Sequence, residues 1–344
     1  MVGDFTVDSR RRILDSASEY SSPPWPPQLR RRRVRNVLDS AARTHHDAIS
    51  QRTRALKKIR MKAPPFAYRK AATLAEVFEL LDTHGDGARL LAGGQSLLAA
   101  LNLRLSSPQI LIDITGVQGL TGIKVANGKV TIGALTTHAE IERSPEIART
   151  LPLLAEAAPH IAHVAIRNVG TIGGSIALAD PAAEWPACCV ALGAEFVIAG
   201  KAGNRKVHAR DFFQALYTTA LGPAEVLTAI EIPVPAAGSR SAFVELTRRR
   251  GDYAIVGVAA TARMEGDVMN GVQLAFLGTD QTPVLAKTAM AEIEGKKLSP
   301  ALIASASKAL ASDLDPGDDA YSTAATKMHL ARVIAGRALA ALAA

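Results

Sequence analysis

Two glycine-rich stretches carry the residue types most suited to chemistry in this sequence. The first is "LLAGGQSL" (90–97). An apolar run feeds a glycine pair and a helical pattern follows at once. Amides exposed at such a turn and at a helix start favour an anion. Neither GxGxxG nor GxxxxGK[ST] is present, so the turn alone is equally compatible with a plain strand-to-helix connection. The second stretch is "RNVGTIGGSIALADPAAEWP" (167–186), with Gly170, Gly173 and Gly174 beside the hydroxyls of Thr171 and Ser175. Asp180 and Glu184 follow. Two such turns could grip one long ligand from both sides, with a carboxylate accepting from its sugar hydroxyls. The competing reading of this segment is a strand bend and an acid at a helix cap. A third stretch, "TRRRGDYAIV" (247–256), holds a Gly251-Asp252 turn and Tyr253, an aromatic able to stack on a flat ring. Its arginines also read as an ordinary solvated loop.

Other candidates are thin. His138, His160 and His163 are scattered and read as structural. No Ser-His-Asp grouping can be argued from spacing. The chain has two cysteines, Cys188 and Cys189, adjacent in an apolar helical pattern and read as core. That inventory excludes a disulfide framework, a spaced zinc site and a self-contained iron–sulfur cluster, and it suits a reducing, cytoplasmic compartment.

Charge argues against a nucleic-acid reading of the body. Residues 1–60 hold 14 basic and 6 acidic side chains, an excess equal to the whole net charge of +8. The remaining residues are balanced and leave no electrostatic footprint for DNA or RNA. The prefix contains "SSPPWPPQ" and "RRRRVR" and reads as disordered. Three accounts of it stay open: a translation start wrongly placed before Met61, a solvated arm, or an Arg-rich targeting or nucleic-acid segment. A truncation starting at Met61 is expected to fold and bind ligand as well as the full chain, checked by thermal melting and ligand titration. No run reaches the 18 apolar residues of a membrane helix, and no apolar h-region follows the first basic residues.

The elements that must position these stretches alternate from residue 62. "FAYRKA", "ARLLAG" and "QILIDIT" read as strands around two helices. The first helix is capped by Thr73, with Glu76 at the capping-box position and Gly85 near its end; the second is "QSLLAALNLRL". "GIKVANGKVTIGAL" reads as a hairpin turning at Asn127-Gly128. "THAEIERSPEIARTLPLLAEAAPHIA" reads as two helices broken near Ser144-Pro145. Pro233 to Ser239 punctuates the chain as a domain boundary. Beyond it come three antiparallel strands and an Ala-rich helical tail.

Taken together and in this order, "AGGQSL", "RNVGTIGGSIALADPAAEWP" and "RRRGDYA" resemble the FAD-binding medium subunit of molybdenum hydroxylases, the family of carbon monoxide dehydrogenase medium subunits and xanthine dehydrogenase FAD subunits. The resemblance runs from Met61 to the C-terminus. It implies an α+β fold: a two-part FAD-binding domain of the vanillyl-alcohol oxidase (PCMH) type over 61–236, and an α+β domain over 240–344 with a three-stranded antiparallel sheet plus helices. It places the FAD pyrophosphate on Ala92, Gly93, Gly94, Gln95, Ser96 and on Thr171, Ile172, Gly173, Gly174, Ser175, with Leu91, Leu97 and Gly170 as further cofactor-binding residues. Glu184 stands where the family has an Asp toward the cofactor's hydroxyl chain. Ile161, Val226, Leu227 and Tyr253 match flavin neighbours. Gln95 replaces a His found in some members.

The resemblance also implies partners: a large molybdopterin-binding subunit and a small subunit with two [2Fe–2S] clusters, in a dimer of heterotrimers. Electrons would pass through FAD to quinone, NAD or oxygen, with no catalytic side chain and no metal ligand in this chain. It leaves room for peripheral membrane association through the electron acceptor. A stand-alone FAD-dependent oxidoreductase, such as a UDP-sugar reductase relative, is the alternative; the "RRRGDY" loop offers little of the substrate machinery it would need.

Overall fold

The computed structural model describes residues 63–344, so the expectations for 1–60 lie outside the described residues. The chain opens with a parallel three-stranded sheet of order β1-β3-β2, formed by β1 (Ala67–Lys70), β2 (Ala88–Leu91) and β3 (Ile110–Asp113). The central strand β3 is buried throughout and reads "ILID", the apolar run expected of a covered parallel strand. Helix α1 (Leu74–His84) turns Val77, Phe78 and Leu81 toward this sheet. Thr73 caps it by accepting from the Glu76 amide. Glu76 reaches past the cap to the Ala72 amide and pairs with Arg69. Helix α2 is shorter than its apolar pattern suggests and spans Leu97–Asn102. Arg104 adopts a left-handed conformation (φ 58) just beyond it, and Pro108 follows.

The second sheet is antiparallel with order β4-β5-β10-β6-β7: β4 (Ile123–Ala126), β5 (Lys129–Gly133), β6 (Glu195–Gly200), β7 (Gly203–His208) and β10 (Val226–Pro233). Asn127 and Gly128 both take positive φ (52 and 72), as a type I′ hairpin requires. The helical stretch after β5 is three helices, not two: α3 (His138–Arg143), α4 (Pro145–Thr150) and α5 (Pro152–Ala157). Pro152 causes the extra break. It has no amide to continue α4 and pushes Leu151 to φ −135, ψ 64. Then come α6 (Val164–Arg167), α7 (Ile172–Leu178), α8 (Glu184–Ala191), the short α9 (Ala209–Phe212) and a small ladder of β8 (Phe213–Ala215) with β9 (Thr218–Thr219).

The chain leaves β10 at Pro233 and enters β11 (Ser239–Thr247), followed by β12 (Ala254–Glu265) and β13 (Val268–Leu277). These are the three long antiparallel strands expected. Two two-residue strands flank β13: β14 (Val284–Leu285) and, after α10 (Lys287–Ile293), β15 (Lys296–Lys297). Helices α11 (Pro300–Ala309) and α12 (Ala324–Ala343) complete the chain. Strand β12 reads "AIVGVAATA" because both of its faces are covered. Val256, Val258 and Ala260 join a cluster with α12, while Ala259 joins a cluster with α5 and α8. All eight residues of α8 are buried, and α8 packs on β12 and β13 as well as on α5 and α7.

Candidate flavin site

The two glycine stretches touch through backbone. A Cβ on Gly93 would overlap the carbonyl of Val169 and come within 2.8 Å of Gly170 Cα. Gly170 and Gly173 are packed just as closely on a third segment. A Cβ on Gly170 would meet His138 Nε2 at 2.8 Å, and one on Gly173 would meet the Ala134 carbonyl at 2.6 Å. Hydrogen bonds fix this stack: His138 N to Gly170 O (3.0 Å), Ile172 N to Thr136 O (3.0 Å) and Gly173 N to Ala134 O (2.8 Å). Gly174 is different. A Cβ there would meet the Thr171 hydroxyl at 2.9 Å, and otherwise only Ala92 Cβ at 3.9 Å, so this glycine faces the gap between the loops.

The loops differ in the donors they offer. In the second, the amides of Ile172, Gly173, Gly174 and Ser175 are all engaged, the last two by Thr171 itself. Its uncommitted donors among the described residues are the Thr171 amide and the hydroxyls of Thr171 and Ser175. In the first, no acceptor among the described residues takes the amides of Ala92, Gly93, Gly94, Gln95, Ser96 or Leu97. Gly94 sits at φ +68, and Ser96 caps α2 in the right-handed helical region, where the first amides of the helix have no intrahelical acceptor. Gln95 is exposed and bonds its own loop, Nε2 to Gly93 O. A pyrophosphate therefore fits: a row of free amides on one side, two hydroxyls on the other, and no side chain at Gly174.

Helix α7 separates this end of the site from a second group of residues. Its seven residues span about 10 Å at 1.5 Å rise, so its start at Ile172 and the Asp180 end lie about one helix length apart. There Tyr217 donates to Asp180 Oδ2 (3.3 Å), and Tyr253 lies close enough that Asp180 and Glu184 both bear on its hydroxyl. Tyr253 is 67% exposed, its ring free to receive a flat partner. Partial burial first, then the Asp180 and Glu184 charges, hold its phenol above the usual range. The loop carrying Tyr253 rests on the turn carrying Ile161, since a Cβ on Gly251 would meet the Ala162 carbonyl at 2.6 Å. Buried Arg167 holds that turn, donating to Ile161 O (3.0 Å) and Ala162 O (3.1 Å) while pairing with Glu142 (2.8 Å). Val226 and Leu227 precede a β-bulge and are nearly fully buried. Val226 joins the cluster of the parallel sheet, against which Ala92 also packs, and Leu227 joins the central cluster.

Two features were invisible in the sequence pattern. Trp185 Nε1 donates to His138 Nδ1 (2.9 Å), which leaves the His138 proton on Nε2. Burial, helped by Arg167, pushes His138 down to about 4, so it stays neutral beside the glycine stack. The second is a latch on the "RRRGDY" loop. Arg248 pairs with Asp252 (3.1 Å) and lies 3.7 Å over the ring of Tyr321, and Asp252 accepts from the Tyr253 amide (3.1 Å). Tyr321→Ala removes a cation–π contact of about 0.5–1 kcal/mol. Trypsin is expected to cut at Arg248–Arg250 several-fold faster in that variant, and at the wild-type rate in Tyr321→Phe.

Fold and site together define a FAD-binding oxidoreductase subunit. Residues 64–235 match the family described as FAD binding domain in molybdopterin dehydrogenase, and 241–342 match the CO dehydrogenase flavoprotein C-terminal domain; the chain belongs to this family. It is 37% identical over 281 residues to the 6-hydroxypseudooxynicotine dehydrogenase complex subunit alpha of Paenarthrobacter nicotinovorans, covering 81% of this chain and 95% of that one. Carbon monoxide dehydrogenase from Hydrogenophaga pseudoflava superposes with TM-score 0.80 at 38% identity, over 81% of this chain and 98% of that one. Quinoline 2-oxidoreductase from Pseudomonas putida 86 superposes with TM-score 0.78 at 38% identity, over 82% and 98%.

Proposed function

We propose that this chain is the electron-transfer subunit of a heteromeric molybdenum hydroxylase. It takes electrons from two [2Fe–2S] clusters of a small partner and hands them to quinone, NAD or oxygen, while a large molybdopterin-bearing partner oxidises the substrate. The assembly is a dimer of such heterotrimers. The observation that carries this reading is the paired glycine stack with its row of free amides, combined with side chains that offer binding rather than catalysis. Among the described residues, no group of three or more His, Cys, Asp or Glu could hold a metal ion, and both cysteine thiols are buried and pushed up by that burial. In this reading the iron–sulfur clusters sit in a partner. Relatives named for 6-hydroxypseudooxynicotine, carbon monoxide and quinoline are 37%, 38% and 38% identical to this chain, which supports a substrate site in a partner.

Bound FAD supplies one- and two-electron exchange. The chain's residues hold and surround it. The amides of Ala92–Leu97 and the hydroxyls of Thr171 and Ser175 would hold the pyrophosphate. Glu184 would face the cofactor's hydroxyl chain, and Ile161, Val226, Leu227 and Tyr253 would border the flat ring. No helix among the described residues is long and apolar enough to cross a membrane.

A tagged chain isolated from its native host tests the proposal. It is expected to carry FAD and to bring down molybdopterin and iron in fixed proportion. A yellow protein that purifies alone and turns over substrate without metal would establish the stand-alone oxidoreductase instead.

A further inference from the structure

Away from the glycine stretches, the far end of the C-terminal sheet carries a cavity of about 620 Å³. Its floor is one face of β11, β12 and β13. Strand alternation puts Ser239 and Ser241 on the same side as Phe243. In register they lie opposite Arg263 and Thr261, and Gln273 lies opposite Thr261 on the next strand. All five line the cavity. Arg240, one residue out of phase, donates instead to Leu342 O of α12 (2.9 Å) on the other face. Over the floor stand Arg149 and Leu153 at the junction of α4 and α5, Leu192 at the end of α8, and the link that leaves Pro233.

The lining is rich in donors, and no carboxylate belongs to it. Arg149, in the last turn of α4, is exposed and has no acceptor among the described residues. Arg263 pairs with Glu265 (2.6 Å), but both side chains are about half exposed, so water competes for that pair. A third guanidinium, from Arg210 on α9, donates to Gln273 Oε1 (2.7 Å). With its oxygen taken, Gln273 has its NH2 left to give. The hydroxyls of Ser239 and Thr261 are uncommitted among the described residues. Groups that would repel an anion are already engaged. Glu156, behind Ser241, accepts from the Ser241 hydroxyl (2.8 Å) and the Phe243 amide (2.9 Å). The closing carbonyls of α8 accept from the amides of Leu192, Gly193 and Ala194.

Three guanidiniums from three elements thus meet one exposed carboxylate. An anion would balance that surplus, and the guanidinium fork matches phosphate or carboxylate through paired hydrogen bonds. Size adds a second requirement. Small-molecule sites run to about 300–1,000 Å³, and a bare inorganic anion would fill little of this one. Pro152, Leu153, Leu192 and Val234 make the rest of the wall apolar. We propose that this cavity binds a small organic anion, a phosphate or carboxylate carried on an apolar or flat body. The site stands apart from the flavin reading, because no residue of either glycine stretch lines it.

Isothermal titration of the full-length chain at low ionic strength tests this with AMP, 2-naphthoate and inorganic phosphate. The chain is first saturated with FAD, so that AMP cannot enter the flavin site. AMP or 2-naphthoate is expected to bind once per chain, at least about tenfold tighter than inorganic phosphate, because the body also finds a wall. The tighter of the two distinguishes a phosphate head group from a carboxylate. Arg149→Ala is expected to weaken that binding by roughly 10–100-fold, the worth of a hydrogen bond to a charged group. Its melting temperature and FAD content should match wild type, since Arg149 has no partner to lose, and Arg149→Lys should recover part of the affinity. Should Arg149→Ala fail to fold, Arg263→Ala decides by the same criterion. Two probes that bind no tighter than inorganic phosphate, or full affinity retained in the deciding variant, overturn the site.

Discussion

Gly93→Ala is expected to cost both the fold and the cofactor, whereas Gly174→Ala costs the cofactor alone. The added methyl at Gly93 overlaps the Val169 carbonyl, and backbone on both sides must shift. Overpacking of this kind costs about 1–3 kcal/mol, and more where the obstacle is backbone. The same shift parts the two loops. At Gly174 the new methyl meets only the Thr171 hydroxyl, which caps α7, and loss of some capping is offset by the better helix propensity of Ala. Stability should stay within about 1 kcal/mol of wild type. The methyl projects toward Ala92, into the gap reserved for the pyrophosphate, and FAD affinity should fall by at least about tenfold, or ~1.4 kcal/mol. Thermal melting of the apoprotein and FAD titration separate the two effects. A Gly174→Ala protein that binds FAD as tightly as wild type would show that the gap between the loops is not the binding cleft.

Glu184→Gln is expected to stabilise the apoprotein at alkaline pH. Glu184 has a folded pKa of about 8 against an ordinary 4.5, with burial the main cause and the charges of Glu245 and Asp180 adding to it. Its neutral form is thus favoured by folding. Wild type suffers no penalty below about pH 4.5, loses stability as pH climbs toward 8, and levels off beyond. Glutamine keeps the shape and never ionises. From pH 5.5 to 8.5 the gap in stability should widen in favour of the variant by about 3 kcal/mol. That corresponds to roughly 6–12 °C in Tm. Parallel stability curves for the two proteins would mean that Glu184 is ionised throughout.

The glycine stretches were legible because their chemistry is local. Residue types that favour tight turns and helix starts announce themselves in a few positions, and a resemblance in motif order did the rest. What each glycine does was not legible. Gly93 is obligatory because Val169 passes behind it, and nothing near position 93 encodes Val169. The uniform appearance of "TIGGS" hid a division of labour. Gly173 is packed on Ala134, Gly174 is open, and the amides of this loop are already engaged. Tyr321 gave no signal, since its partner Arg248 sits in another element. The parallel sheet, the hairpin and the three long C-terminal strands followed from period and turn residues. The break at Pro152 was in plain view but was outweighed by apolar spacing on both sides.

Helix α8 carries one more consequence. It belongs by sequence to the flavin half, yet it is walled in by both halves, with β12 and β13 on one side and α5 and α7 on the other. The peptide link at Pro233–Ser239 is therefore a poor place to cut and paste. A graft of a relative's residues 241–342 onto this chain would have to match the shape of Trp185, Cys188 and Cys189, or bring its own α8 along. The unit that nature or an engineer could exchange is larger than the C-terminal lobe, and its true edge runs through the middle of the flavin half.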